Sequence, residues 1–243
     1  MKLACYISNG YPSPDGTIEY AKNYAMSGSD IIQIDFPSYN PYLESDAIKQ
    51  RMKSALAITE DFNVYMNTIA KIHVCLPTMI IFLLIYEDTL SLIGIDRFIE
   101  FCVENNIENI TLIGSKNGNY RSQIMNKEIK ISSYLPYDLP TNDIQLIDTT
   151  NGFIYLQAKS HLSKDHFLEL PRKISFLREK YGLDRPIFCG VGLQTLADIE
   201  FVKESGADGA FIGSSLFKIE NDAILVSKLI TEMKEIASRE ELL

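Results

Sequence analysis

Eight short runs rich in β-branched and aromatic residues alternate with longer stretches of helical apolar spacing along the 243 residues. The runs are Leu3–Ser8, Ile31–Asp35, Met79–Leu84, Ile110–Ile113, Lys130–Leu135, Phe153–Gln157, Pro186–Cys189 and Gly209–Ile212. Helical patterns fill Gly16–Gly28, Asp46–Asp61, Ile95–Asn105, Phe167–Tyr181, Leu193–Ser205 and Asp222–Ala237, and little helix is expected around the fifth run. A helix between two strands returns the chain to the same edge, so the strands are expected to run parallel. Several runs are apolar throughout, as strands buried on both faces must be. The expected fold is an α/β single (β/α)8 TIM barrel, for which this length is usual. An open doubly wound sheet is the competing arrangement. No linker, repeat or low-complexity stretch interrupts 1–243, so one domain is expected.

Composition narrows the partners. Hydrophobic residues make up 46% and charged residues 23% of the chain, enough to bury a core without metal or disulfide staples. A formal charge of −9 disfavours nucleic acid and anionic membrane as partners, so an anionic ligand needs a local site. Cys5, Cys75, Cys102 and Cys189 are far apart and lie in or beside apolar stretches. They read as small buried hydrophobes in a reducing compartment, with neither zinc nor redox spacing. The opening run is too short for a signal peptide, and Val74–Tyr86 is too short to span a bilayer and is broken by Pro77. A soluble, cytoplasmic protein is expected, with no metal and no cofactor.

The sharpest local signal is a pair of glycine turns. Phe188-Cys189-Gly190-Val191-Gly192-Leu193 and Gly206-Ala207-Asp208-Gly209-Ala210-Phe211-Ile212-Gly213-Ser214 each put glycine after an apolar strand and before a helix. Glycine lets backbone amides approach an anion, and the helix N-terminus carries partial positive charge. In barrels a phosphate commonly sits at the loops after strands seven and eight. Gly190, Gly192, Gly213 and Ser214 are therefore the phosphate candidates. The plainer alternative is that these glycines only make tight strand-to-helix turns.

Along most of its length the chain resembles the α subunit of tryptophan synthase. Tyr6-Ile7-Ser8-Asn9-Gly10-Tyr11-Pro12-Ser13 is similar to that family's first strand and turn, and Ser27–Pro37 to its second strand. Gly94-Ile95-Asp96-Arg97-Phe98, Gly152-Phe153-Ile154-Tyr155 and the two glycine turns match further stretches, whereas 114–150 match poorly. The resemblance implies a barrel of the ribulose-phosphate-binding type. It also implies retro-aldol cleavage of indole-3-glycerol phosphate, with indole passed to a β subunit. In the family a strand-two glutamate and a loop aspartate act as acid and base.

This sequence departs from the pattern where the chemistry would occur. Gln33 stands at the glutamate position, and an amide takes up no proton at neutral pH. Glu44 aligns with the loop aspartate, and Asp35 replaces a family glycine two residues beyond Gln33. Residues i and i+2 of a strand point to one side, so Asp35 is a replacement acid or base if its pKa is raised by burial. A simple ion pair is the alternative. Tyr155 matches a family tyrosine near the substrate, with packing as the other reading. Tyr86, His161, Lys159 and Lys164 are weaker candidates, and His73 and His166 have no assigned role.

Two functions stay open. One is a lyase of the tryptophan synthase α type that makes or breaks a carbon–carbon bond in a different phosphorylated small molecule. In it Asp35 and Glu44 shuttle protons around Gln33. The other is a catalytically inactive homologue that binds a phosphorylated ligand and acts as partner or regulator of another enzyme. A tryptophan synthase β-like subunit is the partner implied by the resemblance.

Overall fold

The computed structural model describes residues 1–114, 118–159 and 169–239. Nine strands are present among them: β1 (Lys2–Ile7), β2 (Ile31–Asp35), β3 (Ile80–Tyr86), β4 (Asn109–Ile113), β5 (Lys130–Ile131), β6 (Ser133–Leu135), β7 (Ile154–Gln157), β8 (Ile187–Gly190) and β9 (Gly209–Ile212). They hydrogen-bond in the order β5-β4-β3-β2-β1-β9-β8-β7-β6. The registered pairs are parallel, and helices alternate with the strands. The fold is a (β/α)8 TIM barrel.

The chain falls into two compact units. The first comprises Met1–Cys5, Met26–Asp30 and Ser132–Leu243; the second comprises Tyr6–Ala25 and Ile31–Ile131. In the first, Lys2–Cys5 of β1 pair with Gly209–Ile212 of β9. The Asp30 carboxylate accepts from the Leu3 amide at 2.8 Å and from Lys234 at 2.7 Å, fixing the strand's start against helix Ala223–Ser238. In the second, β2 pairs with β3 from Ile31↔Ile80 to Asp35↔Leu84, and β3 pairs with β4. All five β2 residues are buried, which explains its nearly continuous apolar run.

Most expected elements are present, with shifted ends. Three differences have clear causes. The single run expected at Lys130–Leu135 divides at Ser132: β5 pairs with β4, whereas β6 pairs with β7. The fifth unit is also richer in helix than expected, with Gly118–Met125, Thr141–Gln145 and a 3-10 turn at Leu146–Thr149. The helix expected to run to Asp61 stops at Ile58, because Thr59 is extended (φ −156°, ψ 142°). A second helix, Phe62–Cys75, then starts under Asp61, whose carboxylate accepts from the Asn63 amide at 3.0 Å.

Three of the cysteines are buried as expected, but Cys75, at the end of that second helix, is exposed. Among the described residues, no helix is long and apolar enough to cross a membrane.

The Asp61 cap yields a direct test. Asp61→Ala removes the acceptor for an otherwise unpaired helix amide, a change that costs about 1 kcal/mol. Chemical denaturation should show a lower midpoint at unchanged slope for Asp61→Ala, and a much smaller change for Asp61→Asn.

Candidate functional site

In the second unit the ends of β1 and β2 bring together the polar side chains that the sequence marks out. Asp35, the last residue of β2, has 0% of its surface exposed. The Tyr6 hydroxyl donates to its Oδ2, and the Asn9 backbone amide donates to its Oδ1 at 2.8 Å. Burial disfavours the charged form and pushes the Asp35 carboxyl up to about 7, against the two hydrogen bonds that favour the charge. Glu44 adds to the rise and Arg51 opposes it. The same burial, with Asp35 beside it, drives the Tyr6 hydroxyl well above its ordinary value.

Glu44 is half-buried in the loop before helix Asp46–Ile58, which begins under the Ser45 cap. The Tyr86 hydroxyl, at the end of β3, donates to Glu44 Oε1 at 3.0 Å. Burial raises the Glu44 carboxyl above its usual range, although Tyr86 and Lys49 favour its charge. The structure therefore puts Asp35 and Glu44 in one electrostatic neighbourhood, with Tyr86 beside the latter. Gln33 is only 3% exposed, and its Nε2 has no hydrogen-bond partner among the described residues. Asn9 gives its side-chain Nδ2 to the Tyr65 carbonyl at 3.2 Å, and its buried Oδ1 has no partner among those residues.

The glycine turns lie in the first unit. At Val191 and Gly192 φ is 66° and 83°. A β-branched residue in that region is strained, and such strain gathers at ligand-binding loops. Lys159 approaches the position a Gly192 Cβ would take, to 3.1 Å, and pairs with Asp198 at 2.5 Å. Burial works against the Asp198 charge, but Lys159 and the Gln194 and Thr195 amides outweigh it and hold this carboxyl below its usual range. Gly190 has a packing reason to lack a side chain: its Cβ would lie 2.2 Å from the Tyr155 hydroxyl. The Tyr155 ring stacks on Phe211 with centroids 4.8 Å apart. Gly213 accepts from the Leu216 and Phe217 amides and precedes the short helix Ser214–Phe217, whose first residue is exposed. His161, Lys164 and His166 lie outside the described residues, and His73 sits within helix Phe62–Cys75.

A family model described as the tryptophan synthase alpha chain matches residues 1–241. The chain belongs to the tryptophan synthase alpha family. The tryptophan synthase alpha chain of Leptospira borgpetersenii serovar Hardjo-bovis (strain JB197) is 26% identical over 245 residues, spanning 95% of this chain and 92% of that protein. The one from Methanosarcina barkeri (strain Fusaro / DSM 804) is 22% identical over 243 residues, with 97% and 90% covered. The solved alpha subunit from Legionella pneumophila str. Paris superposes with a TM-score of 0.81 at 20% identity, covering 97% and 92% of the two chains. A structure of the Pyrococcus furiosus tryptophan synthase complex gives 0.81 at 18% identity, covering 96% and 97%. Both show the same fold. Family and fold together support a lyase-type alpha subunit.

Three residues around Asp35 in this tryptophan synthase alpha family member carried no assigned role in the sequence. Tyr6 and Asn9 belong to the first-strand turn, and their bonds to a strand-two residue depend on which strands are neighbours. Arg51 did leave a signal. It shares the helical stripe of Met52, Ala55 and Leu56, all buried, and a cation on an apolar stripe needs a partner. Its guanidinium lies over the Tyr11 ring, 4.5 Å from the centroid.

The raised Asp35 carboxyl makes stability depend on pH with a definite sign. The folded state holds this proton more tightly than the unfolded chain, so the contribution is complete below 3.8 and is lost as pH rises toward about 7. Asp35→Asn lacks the titration. Its melting temperature relative to the parent should rise from pH 4 to about 7 and level off above it, as read by thermal scans from pH 4 to 8; a constant difference would contradict the assignment.

Proposed function

We propose that this chain is a lyase of the tryptophan synthase alpha type, acting on a phosphorylated small molecule other than indole-3-glycerol phosphate, with Asp35 carrying the proton. The observation that carries the reading is the Asp35 carboxyl at about 7, fully buried, two residues beyond the amide that replaces the family glutamate. A group titrating near neutrality can both take and give a proton, which making or breaking a carbon–carbon bond by an aldol route requires. Tyr6 and Asn9 orient the carboxyl, and Glu44, held by Tyr86, is the second proton-carrying group.

Gly190, Gly192, Gly213 and Ser214 are proposed to hold the phosphate. Their support is the strained Val191-Gly192 turn and the glycine-led start of helix Ser214–Phe217. Tyr155 packs beside Gly190 and is proposed to line the same pocket. The Pyrococcus furiosus relative is described as part of an α2β2 complex. By analogy a β-like subunit is the proposed protein partner. A second reading, an inactive homologue that binds a phosphorylated ligand and regulates another enzyme, is favoured by one observation: Gln33 exchanges no proton.

Turnover separates the two. A screen of phosphorylated metabolites should yield a converted substrate, while indole-3-glycerol phosphate should release little or no indole. On that substrate Asp35→Asn should lower kcat by roughly 10²–10⁴-fold, the usual share of general acid–base catalysis, with a much smaller change in affinity. Gly213→Asp should abolish binding by calorimetry while leaving the fold intact, because a carboxylate there repels the phosphate. Full turnover by Asp35→Asn would move the proton chemistry elsewhere, and no turnover of any compound would leave the binding reading.

A further inference from the structure

Two buried polar atoms, one on Gln33 two residues before Asp35 and one on Asn9, lack partners among the described residues, and they have opposite hydrogen-bonding character. Gln33 Nε2 is a donor with no acceptor, and Asn9 Oδ1 is an acceptor with no donor. Gln33 and Asn9 are 3% and 1% exposed, so solvent does not satisfy them in passing. The orientation of Asn9 is fixed by two bonds, from its Nδ2 to the Tyr65 carbonyl and from its backbone amide to Asp35 Oδ1. Gln33 precedes Asp35 by two residues on β2, so both side chains leave the strand on the same side. An unpaired buried donor or acceptor carries a desolvation cost, and completion by a ligand is one way a folded protein offsets it.

We infer that Gln33 and Asn9 receive an α-hydroxy carbonyl group of the substrate, Gln33 donating to the carbonyl oxygen and Asn9 accepting from the adjacent hydroxyl. This rests on the proposed lyase reading and narrows it to a phosphorylated hydroxy-ketone or hydroxy-aldehyde. The same placement assigns a chemical role to the amide. The Asp35 carboxylate removes a proton from the carbon beside the carbonyl. The C–H electron pair becomes the new C=C bond, and the carbonyl π pair moves to oxygen. The resulting enolate oxygen lies against Gln33 Nε2–H, a neutral donor that stabilises it as oxyanion donors do. Return of the proton from Asp35 to carbon regenerates the ketone; alternatively the enolate carbon attacks the carbonyl of an aldehyde co-substrate, whose π pair moves to oxygen, and the resulting alkoxide takes the proton from Asp35, which completes an aldol addition. A glutamate at position 33 would face the enolate with like charge. Gln33 is therefore a stabiliser of the reacting oxygen in this chain, and its amide is suited to a role for which a carboxylate is not.

Dihydroxyacetone phosphate and glycerol 3-phosphate serve as probes, since they share the phosphate and differ in carbonyl against CHOH. In calorimetry the full chain should bind the ketone about tenfold more tightly, the scale of one well-made hydrogen bond. Gln33→Leu and the near-isosteric Gln33→Glu should both erase that preference while still binding glycerol 3-phosphate. In deuterated buffer the parent protein should exchange the α-hydrogens of the ketone, as read by NMR, and Gln33→Glu should slow this by at least tenfold. Equal affinity for the two probes, or a preference that survives both substitutions, overturns the assignment. Inorganic phosphate distinguishes the failures: if it and glycerol 3-phosphate bind while the ketone gains nothing, only this inference falls. If no phosphorylated probe binds, the phosphate reading falls with it.

Discussion

A carboxyl group with no exposed surface must be kept neutral or solvated by the protein, and around Asp35 the protein supplies only part of that solvation. The Tyr6 hydroxyl and the Asn9 amide each satisfy one oxygen, and Arg51 contributes charge at longer range. Against them stand complete burial and the neighbouring Glu44. Burial exceeds the compensation, and the group comes to rest near neutrality. The arrangement of the second unit follows from this balance. Tyr65 fixes Asn9, the Ser45-capped helix carries Arg51 on its buried face, and β3 delivers Tyr86 to Glu44.

The two departures from the family pattern on β2 belong together. A glutamate retained at position 33 would share one side of the strand with Asp35, and two carboxylates there would push each other's protonation up strongly. With an amide at 33, the like charge that raises the Asp35 carboxyl comes from Glu44. On the proposed reading the acid–base function has moved two residues along the strand, a shift that keeps a side chain on the same face. The position it left now offers a hydrogen-bond donor. On this account the replacement of the glutamate marks a change of substrate chemistry, from a ring carbon that must accept a proton to a carbonyl oxygen that must hold negative charge.

The barrel was legible in the sequence because its signals are local and repeated. Buried runs such as Ile31–Asp35 and turn glycines such as Gly192, at φ 83°, each announce themselves within a few residues. The Asp61 cap was equally local, yet the sequence reading ended a helix at that residue and expected none after it, where Phe62–Cys75 begins. Division of the fifth strand at Ser132 was not legible, since it depends on which strand each half pairs with. The same limit applied at the site. Asp35 and Glu44 were visible as carboxylates in a loop-and-strand context, and Asp35 could be placed on the side of Gln33 by parity alone. That Tyr6 and Asn9 close over it is a contact between residues 29 and 26 positions apart, which no local pattern encodes. For Gly190 the sequence offered a ligand-binding reading, and the structure adds a packing reason for the missing side chain, the Tyr155 hydroxyl.

The central claim is that Asp35 exchanges its proton near neutral pH, and direct titration tests it. With carboxyl carbons of aspartate labelled by ¹³C and Asp35→Asn used to identify the resonance, NMR across pH 3 to 9 should show this group titrating at about 7. A midpoint near 4, the ordinary aspartate value, would mean that the buried carboxylate is fully solvated by its neighbours and that the proton chemistry proposed for it does not occur there.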